Sequence, residues 1–122
     1  MARIILIDDD QPFRDMLFGV LTQEGHEVIV AANGFDGLAL FRQQQADLIL
    51  TDILMPHGGL PTIRVLREQY PTLPIIAISG SRAPLAIAGA LGATQLIAKP
   101  FALQELISAI ANAVRKPAAE KA

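Results

Sequence analysis

Asp8, Asp9 and Asp52 carry carboxylates, Ser79 a hydroxyl and Lys99 an ammonium. Each follows a short apolar run: Ile4-Ile5-Leu6-Ile7 before Asp8-Asp9, Leu48-Ile49-Leu50 before Thr51-Asp52, Ile75-Ile76-Ala77-Ile78 before Ser79, Leu96-Ile97-Ala98 before Lys99. Three carboxylates crowded into one shallow pocket raise one another's pKa values and destabilise a fold unless a cation intervenes. Oxygen ligands without His or Cys suit a hard ion, and one or two carboxylates with retained waters describe Mg²⁺ better than a dedicated Ca²⁺ cage. A cation beside a carboxylate nucleophile, a lysine and a small hydroxyl is a set for phosphoryl transfer. Aspartate can serve there as the nucleophile that forms an acyl phosphate.

The elements that must position these groups are legible from hydrophobic periodicity. The four runs, with Val28-Ile29-Val30, are short, continuous and rich in β-branched residues. Strands buried on both faces of a parallel sheet read this way. Between them lie helical patterns. Phe13, Met16, Leu17, Val20 and Leu21 form one stripe, with Asp10 as N-cap, Pro12 in the first turn and Gly25 as the stop. Asn33 can cap a second helix carrying Leu38, Leu40 and Phe41. Pro61 opens a third with Ile63 and Leu66 inward, and a short alanine-rich fourth spans about Ala83 to Ala90. Leu103, Leu106, Ile107, Ile110 and Val114 mark a fifth, which Lys116-Pro117 should end. Alternating strands and helices predict an α/β fold, a doubly wound five-stranded parallel sheet, in which ligands bind outside the carboxyl ends of the strands. Those are the ends that carry the polar groups; only the second strand ends blandly, in Ala31-Ala32.

Composition narrows the function. At 122 residues the chain is one domain, expected over 1–116, with 117–122 as a frayed tail. It is 52% hydrophobic and 18% charged, which excludes disorder for most of the chain. Its formal charge of −2 gives no electrostatic footprint for nucleic acid. Asp8, Asp9, Asp10 and Asp52 are four of the twelve acids; without them ten bases face eight acids, so the negative charge is concentrated in two segments. Cysteine is absent, which excludes disulfides and thiolate chemistry. No signal peptide opens the chain, and no apolar run approaches the ~20 residues of a membrane span. A cytoplasmic protein with no membrane contact is expected.

The segments Ile4–Asp10, Leu48–Pro56, Ile75–Gly80 and Ala98-Lys99-Pro100-Phe101, in this order and spacing, resemble the four signatures of bacterial response regulator receiver domains, and the resemblance covers residues 3 to about 115. It implies a flavodoxin-like (βα)5 fold with strand order 2-1-3-4-5. It implies that Asp52 is the phosphoacceptor, that Asp9 ligates Mg²⁺ directly and Asp8 largely through water, and that Asp52 and the backbone carbonyl of Leu54 complete the protein ligands. Ser79 would hydrogen-bond the phosphoryl group, Lys99 would pair with it, and the Lys99–Pro100 bond would be cis. The implied partners are a sensor histidine kinase or a histidine phosphotransfer protein upstream and a protein partner downstream, with no direct nucleic-acid contact. The only catalysis implied is phosphorylation and dephosphorylation of the domain itself. With no output domain after residue 116, signalling would run through protein contacts, unless the chain is cut from a longer regulator. The sequence departs from the family pattern in a loop one residue shorter at His57-Gly58-Gly59, in Leu54 where a polar residue is usual, and in Leu96 where an aromatic ring is usual.

Two other readings stand beside this one. A small aspartate-nucleophile hydrolase of the haloacid-dehalogenase type would use Asp8-x-Asp10 as its first motif, with Asp8 as nucleophile, and leave Asp52 unused. A receiver-like binding module would never be phosphorylated. Among single residues, Asp10 is expected as a cap rather than a metal ligand, His57 as a solvated loop residue, His26 as a turn residue, and Phe101 as core packing.

Overall fold

The computed structural model describes residues 2–55 and 58–121, with side chains described as far as Val114. Among these, five strands alternate with five helices: β1 (Arg3–Ile7), α1 (Gln11–Gln23), β2 (Glu27–Ala31), α2 (Gly34–Gln43), β3 (Leu48–Asp52), α3 (Gly59–Gln69), β4 (Ile75–Ser79), α4 (Arg82–Leu91), β5 (Gln95–Ala98) and α5 (Leu103–Lys121). All strand pairs are parallel and the order is β2-β1-β3-β4-β5. The flavodoxin-like topology expected from the sequence is the one observed. No helix among the described residues is long and apolar enough to cross a membrane.

Alternation along the central strands divides the core in two. Ile4 and Leu6 of β1, Leu48 and Leu50 of β3, and Ile76 and Ile78 of β4 pack with Leu17 and Leu21 of α1 and Leu106 and Ile110 of α5. The intervening Ile5, Ile7, Ile49, Ile75 and Ala77 pack with Phe41 of α2, Ile63 and Leu66 of α3 and Leu85 and Ala88 of α4. Burying one such isoleucine or leucine is worth roughly 1.5–3 kcal/mol, so the central strands anchor the register on which the site depends. Burial on both faces holds for β1, β3 and β4. It does not hold for β2 and β5, which lie at the sheet edges and leave Val30 and Leu96 exposed.

Asp10 caps α1, its Oδ1 accepting from the Phe13 N–H, and Asn33 caps α2 through Asp36. Helix α3 starts two residues before the predicted Pro61. Gly58 adopts a left-handed conformation at φ 75°, which reverses the chain sharply, and Gly59 then lies flat against β3's end. A Cβ on Gly59 would run into the Cα of Ile53 and the Asp52 carbonyl. Pro61 sits within the first turn, where its missing N–H costs no helical bond. Helix α4 extends the predicted span by one residue at each end. The stop expected at Lys116-Pro117 is absent: α5 continues to Lys121, good helix formers lying on both sides of the proline. The side chains of the expected tail, 117–122, lie outside the described residues, as does His57.

At the amino-terminal end of the sheet, Arg67 of α3 gathers several loops. Its Nε donates to the Gly92 carbonyl, and its terminal nitrogens donate to the carbonyls of Tyr70, Pro71 and Leu73. At the β2 edge of the sheet, His26 between α1 and β2 is more than a turn residue. Its Nδ1 accepts from the Ala2 N–H at 3.1 Å, and burial pulls the imidazole pKa below its ordinary value.

Candidate functional site

The order β2-β1-β3-β4-β5 reverses direction between β1 and β3, and the carboxyl ends of these two strands deliver Asp8-Asp9 and Asp52 side by side. One oxygen from each of Asp8, Asp9 and Asp52 lies within 4.8 Å of the others. Asp8 is 1% exposed and Asp52 7%, while Asp9 faces solvent. The backbone fixes them individually. The Asp8 N–H donates to the Ala31 carbonyl at 3.1 Å, and its Oδ1 accepts from the Asp10 N–H at 2.9 Å. Asp52 Oδ1 accepts from the Leu54 N–H at 3.1 Å, which orients the carboxylate in its own loop.

Lys99 arrives from β5, across the end of β4. Its Nζ donates to Asp52 Oδ2 at 3.2 Å. The Lys99–Pro100 bond is cis, as expected. The ends of β4 and β5 are tied by the Lys99 N–H donating to the Ser79 carbonyl at 2.9 Å. Ser79 is fully buried, and its Oγ accepts from the Ser81 N–H at 3.0 Å, which leaves its own O–H free to donate. Leu54 projects its side chain into solvent at the mouth of the site.

The electrostatics fit a cation-seeking pocket. The Asp8 carboxyl is pushed up to about 6, first by burial, then by Asp52 and Asp9; the Asp10 N–H and Lys99 oppose this. The sequence had pointed to mutual repulsion as the reason; desolvation ranks above it. A carboxylate that resists ionisation beside two others is a donor set that a hard divalent ion relieves. The candidate residues therefore fit such an ion.

Two residues of α1 that the sequence assigned to the core or left unremarked also reach the site. Lys99 Nζ sits 4.3 Å from the centroid of the Phe13 ring. The neighbouring Arg14 donates from Nη1 to the Asp8 carbonyl at 2.7 Å. Phe101 makes an edge contact with Phe13, ring centroids 6.2 Å apart, and packs against the core as expected. The signal was present: Phe13 falls in the first turn after an Asp cap that itself adjoins the first strand's carboxyl end.

Comparison with known proteins gives one answer. Residues 4–111 match the response regulator receiver domain family. An uncharacterised transcriptional regulatory protein of Bacillus subtilis is 33% identical over 115 residues, covering 92% of this chain and 50% of the relative. A probable transcriptional regulatory protein of a Picosynechococcus species is 35% identical over 117 residues, covering 88% and 47%. The chain thus spans about half the length of these curated relatives. Among solved structures, a CheY-like receiver domain protein from Methanospirillum hungatei superposes with a TM-score of 0.92 at 28% identity, covering 98% of both chains. The receiver domain of NtrX from Brucella abortus superposes with a TM-score of 0.86 at 32% identity, covering 92% of this chain and 98% of that one.

Proposed function

Because the chain belongs to the response regulator receiver family, the phosphoacceptor domains of two-component signalling, we propose that Asp52 is its phosphoacceptor and that Asp8, Asp9, Asp52 and the Leu54 carbonyl hold Mg²⁺. The observation that carries this reading is the Lys99 ammonium 3.2 Å from Asp52 Oδ2, on a carboxylate already grouped with Asp8 and Asp9. When bound, the ion would neutralise charge on the phosphoryl oxygens.

The protein's own groups do the rest. The Leu54 N–H and Lys99 hold the Asp52 carboxylate in one orientation, so little reorganisation precedes attack. A carboxylate oxygen of Asp52 attacks phosphorus; the O–P bond forms as the donor's P–N bond breaks, and its electron pair leaves with the imidazole nitrogen of a phosphohistidine. Lys99 then exchanges its carboxylate contact for a phosphoryl oxygen, and the free O–H of Ser79 donates to another. Water later attacks phosphorus, the bond to the Asp52 oxygen breaks, and inorganic phosphate leaves as the Asp52 carboxylate is restored. Catalysis on this reading is confined to the domain's own aspartate. The donor is a sensor histidine kinase or phosphotransfer protein, the output is a contact with a further protein, and the setting is the cytoplasm.

The comparisons do not favour a haloacid-dehalogenase-type hydrolase or a module that is never phosphorylated. Intact-mass measurement after incubation with acetyl phosphate and Mg²⁺ tests the assignment. Wild type should gain one phosphoryl group and Asp52→Asn none. Stoichiometric gain by Asp52→Asn overturns the site, and loss of phosphorylation only in Asp8→Asn would favour the hydrolase.

A further inference from the structure

Lys99 has two partners of different kinds. One is the carboxylate of Asp52 at 3.2 Å; the other is the face of the Phe13 ring, 4.3 Å from its ammonium to the ring centroid. A cation over an aromatic face is attracted by the ring quadrupole, more strongly where water is partly excluded. The ring is itself constrained. The Phe13 N–H donates to the capping Asp10 Oδ1 at 3.3 Å, and the edge contact with Phe101 braces the ring from the segment after β5 that also supplies Lys99.

We propose that Phe13 is a positioning residue for phosphoryl transfer, its ring face holding the Lys99 ammonium over the site while the carboxylate contact is exchanged for a phosphoryl oxygen. This inference rests on the assignment of Asp52 and Lys99 above. At the moment of transfer Asp52 becomes an acyl phosphate, a mixed anhydride, and its carboxylate loses the charge that held Lys99. The ring's attraction does not depend on that charge, so the ammonium keeps one fixed partner throughout. An aliphatic side chain in the same place would fill the same space against the core cluster and supply no such attraction. Phe13 therefore has a role that apolar packing alone does not explain.

The test separates packing from the cation–ring contact. Phe13→Leu, Phe13→Tyr and a protein with 3,4,5-trifluorophenylalanine in place of Phe13 are compared with wild type, using acetyl phosphate and Mg²⁺ and following phosphorylation by intact mass. The fluorinated ring keeps shape and burial while weakening the quadrupole, so it remains informative even if Phe13→Leu does not fold. The expected result is a maximal rate about three- to tenfold lower for the fluorinated ring. The acetyl phosphate concentration at half-maximal rate should be little changed, and Phe13→Tyr should retain the wild-type rate. The ring-current shift on the Lys99 side-chain protons should persist in Phe13→Tyr and vanish in Phe13→Leu. A fluorinated protein with the wild-type maximal rate overturns the inference. Asp52→Asn run alongside keeps the two readings apart: a wild-type rate in the fluorinated protein with an inert Asp52→Asn defeats only the role of Phe13, whereas a phosphorylated Asp52→Asn defeats the site itself.

Discussion

Lys99 and Asp52 lie at the ends of strands that are not neighbours. β4 runs between β3 and β5, and the lysine spans its end to place Nζ 3.2 Å from Asp52 Oδ2. That reach makes the ammonium the one cation ion-paired with Asp52 among the described residues. Lys99→Ala should lower the rate of phosphorylation by acetyl phosphate on the order of 10²-fold, the scale of removing one preorganised electrostatic contact from a transition state. Intact mass against time measures it; a rate within twofold of wild type would contradict the role.

Asp8 makes metal-free stability depend on pH. Its folded-state value of about 6 lies above the 3.8 of an unfolded aspartate, so between these values the unfolded chain gives up its proton first. The contribution of Asp8 is therefore full below pH ~4 and is lost as pH rises through 6. With each pKa unit worth about 1.4 kcal/mol, the loss approaches ~3 kcal/mol at neutral pH. Urea melts in chelator from pH 4 to 8 should show this decline in wild type and lose it in Asp8→Asn, which can still accept from the Asp10 N–H. Added Mg²⁺ should flatten the wild-type curve.

His26 works in the opposite direction. Its imidazole is held below its ordinary pKa, and its Nδ1 must stay unprotonated to accept from the Ala2 N–H. The unfolded chain takes up the proton first, so this contribution is full above pH 6.5 and is lost as pH falls below it. Melts in an Asp8→Asn background isolate the effect. Stability there should drop on acidification below pH 6.5, and His26→Gln should remove the drop.

Two glycines should respond with opposite signs to a single added methyl group. Gly59→Ala drives a Cβ into Ile53 and the Asp52 carbonyl and should cost about 3 kcal/mol. Gly19, in the middle of α1, has open space around it, and Gly19→Ala should stabilise by roughly 0.5–1 kcal/mol. Denaturant midpoints of the two variants decide both.

Ser79 is linked to the loop that follows it. Its Oγ accepts from the Ser81 N–H, so a shift of the hydroxyl toward a phosphoryl group pulls on Gly80-Ser81 and the start of α4. Leu96 is 43% exposed beside Gly89 of α4, and a leucine has no polar edge to favour one rotamer over the other. Adding beryllofluoride and Mg²⁺ should therefore shift the amides of Gly80 to Ala83 most. Larger shifts in the Leu96 side chain than in this loop would reverse the expectation.

The continuous apolar runs such as Ile4-Ile5-Leu6-Ile7 made a parallel sheet legible in the sequence, with Asp8, Asp9, Asp52 and Lys99 at its carboxyl ends, while the strand order came from the resemblance to receiver domains. Helix starts set by backbone conformation were harder: Gly58 and Gly59 open α3 without a side-chain cap, so Pro61 drew the boundary two residues late. Phe13 was read only as core and Arg14 not at all, because a helical stripe says which face is inward, and only the contacts with Lys99, in the loop after β5, and with the Asp8 carbonyl say what the first turn meets. The rank of burial over repulsion at Asp8 likewise depends on depth, which motif spacing does not encode.

Arg67 leaves the two ends of the molecule unequally free. The Tyr70–Leu73 connection and the Gly92 turn, separated by some twenty residues of chain, share one guanidinium as a common clasp. Movement of the Arg67 side chain would strip both connections of a shared donor at once. The amino-terminal edge of the sheet is thereby clasped by one side chain of α3, at the end opposite to Ser79 and Lys99.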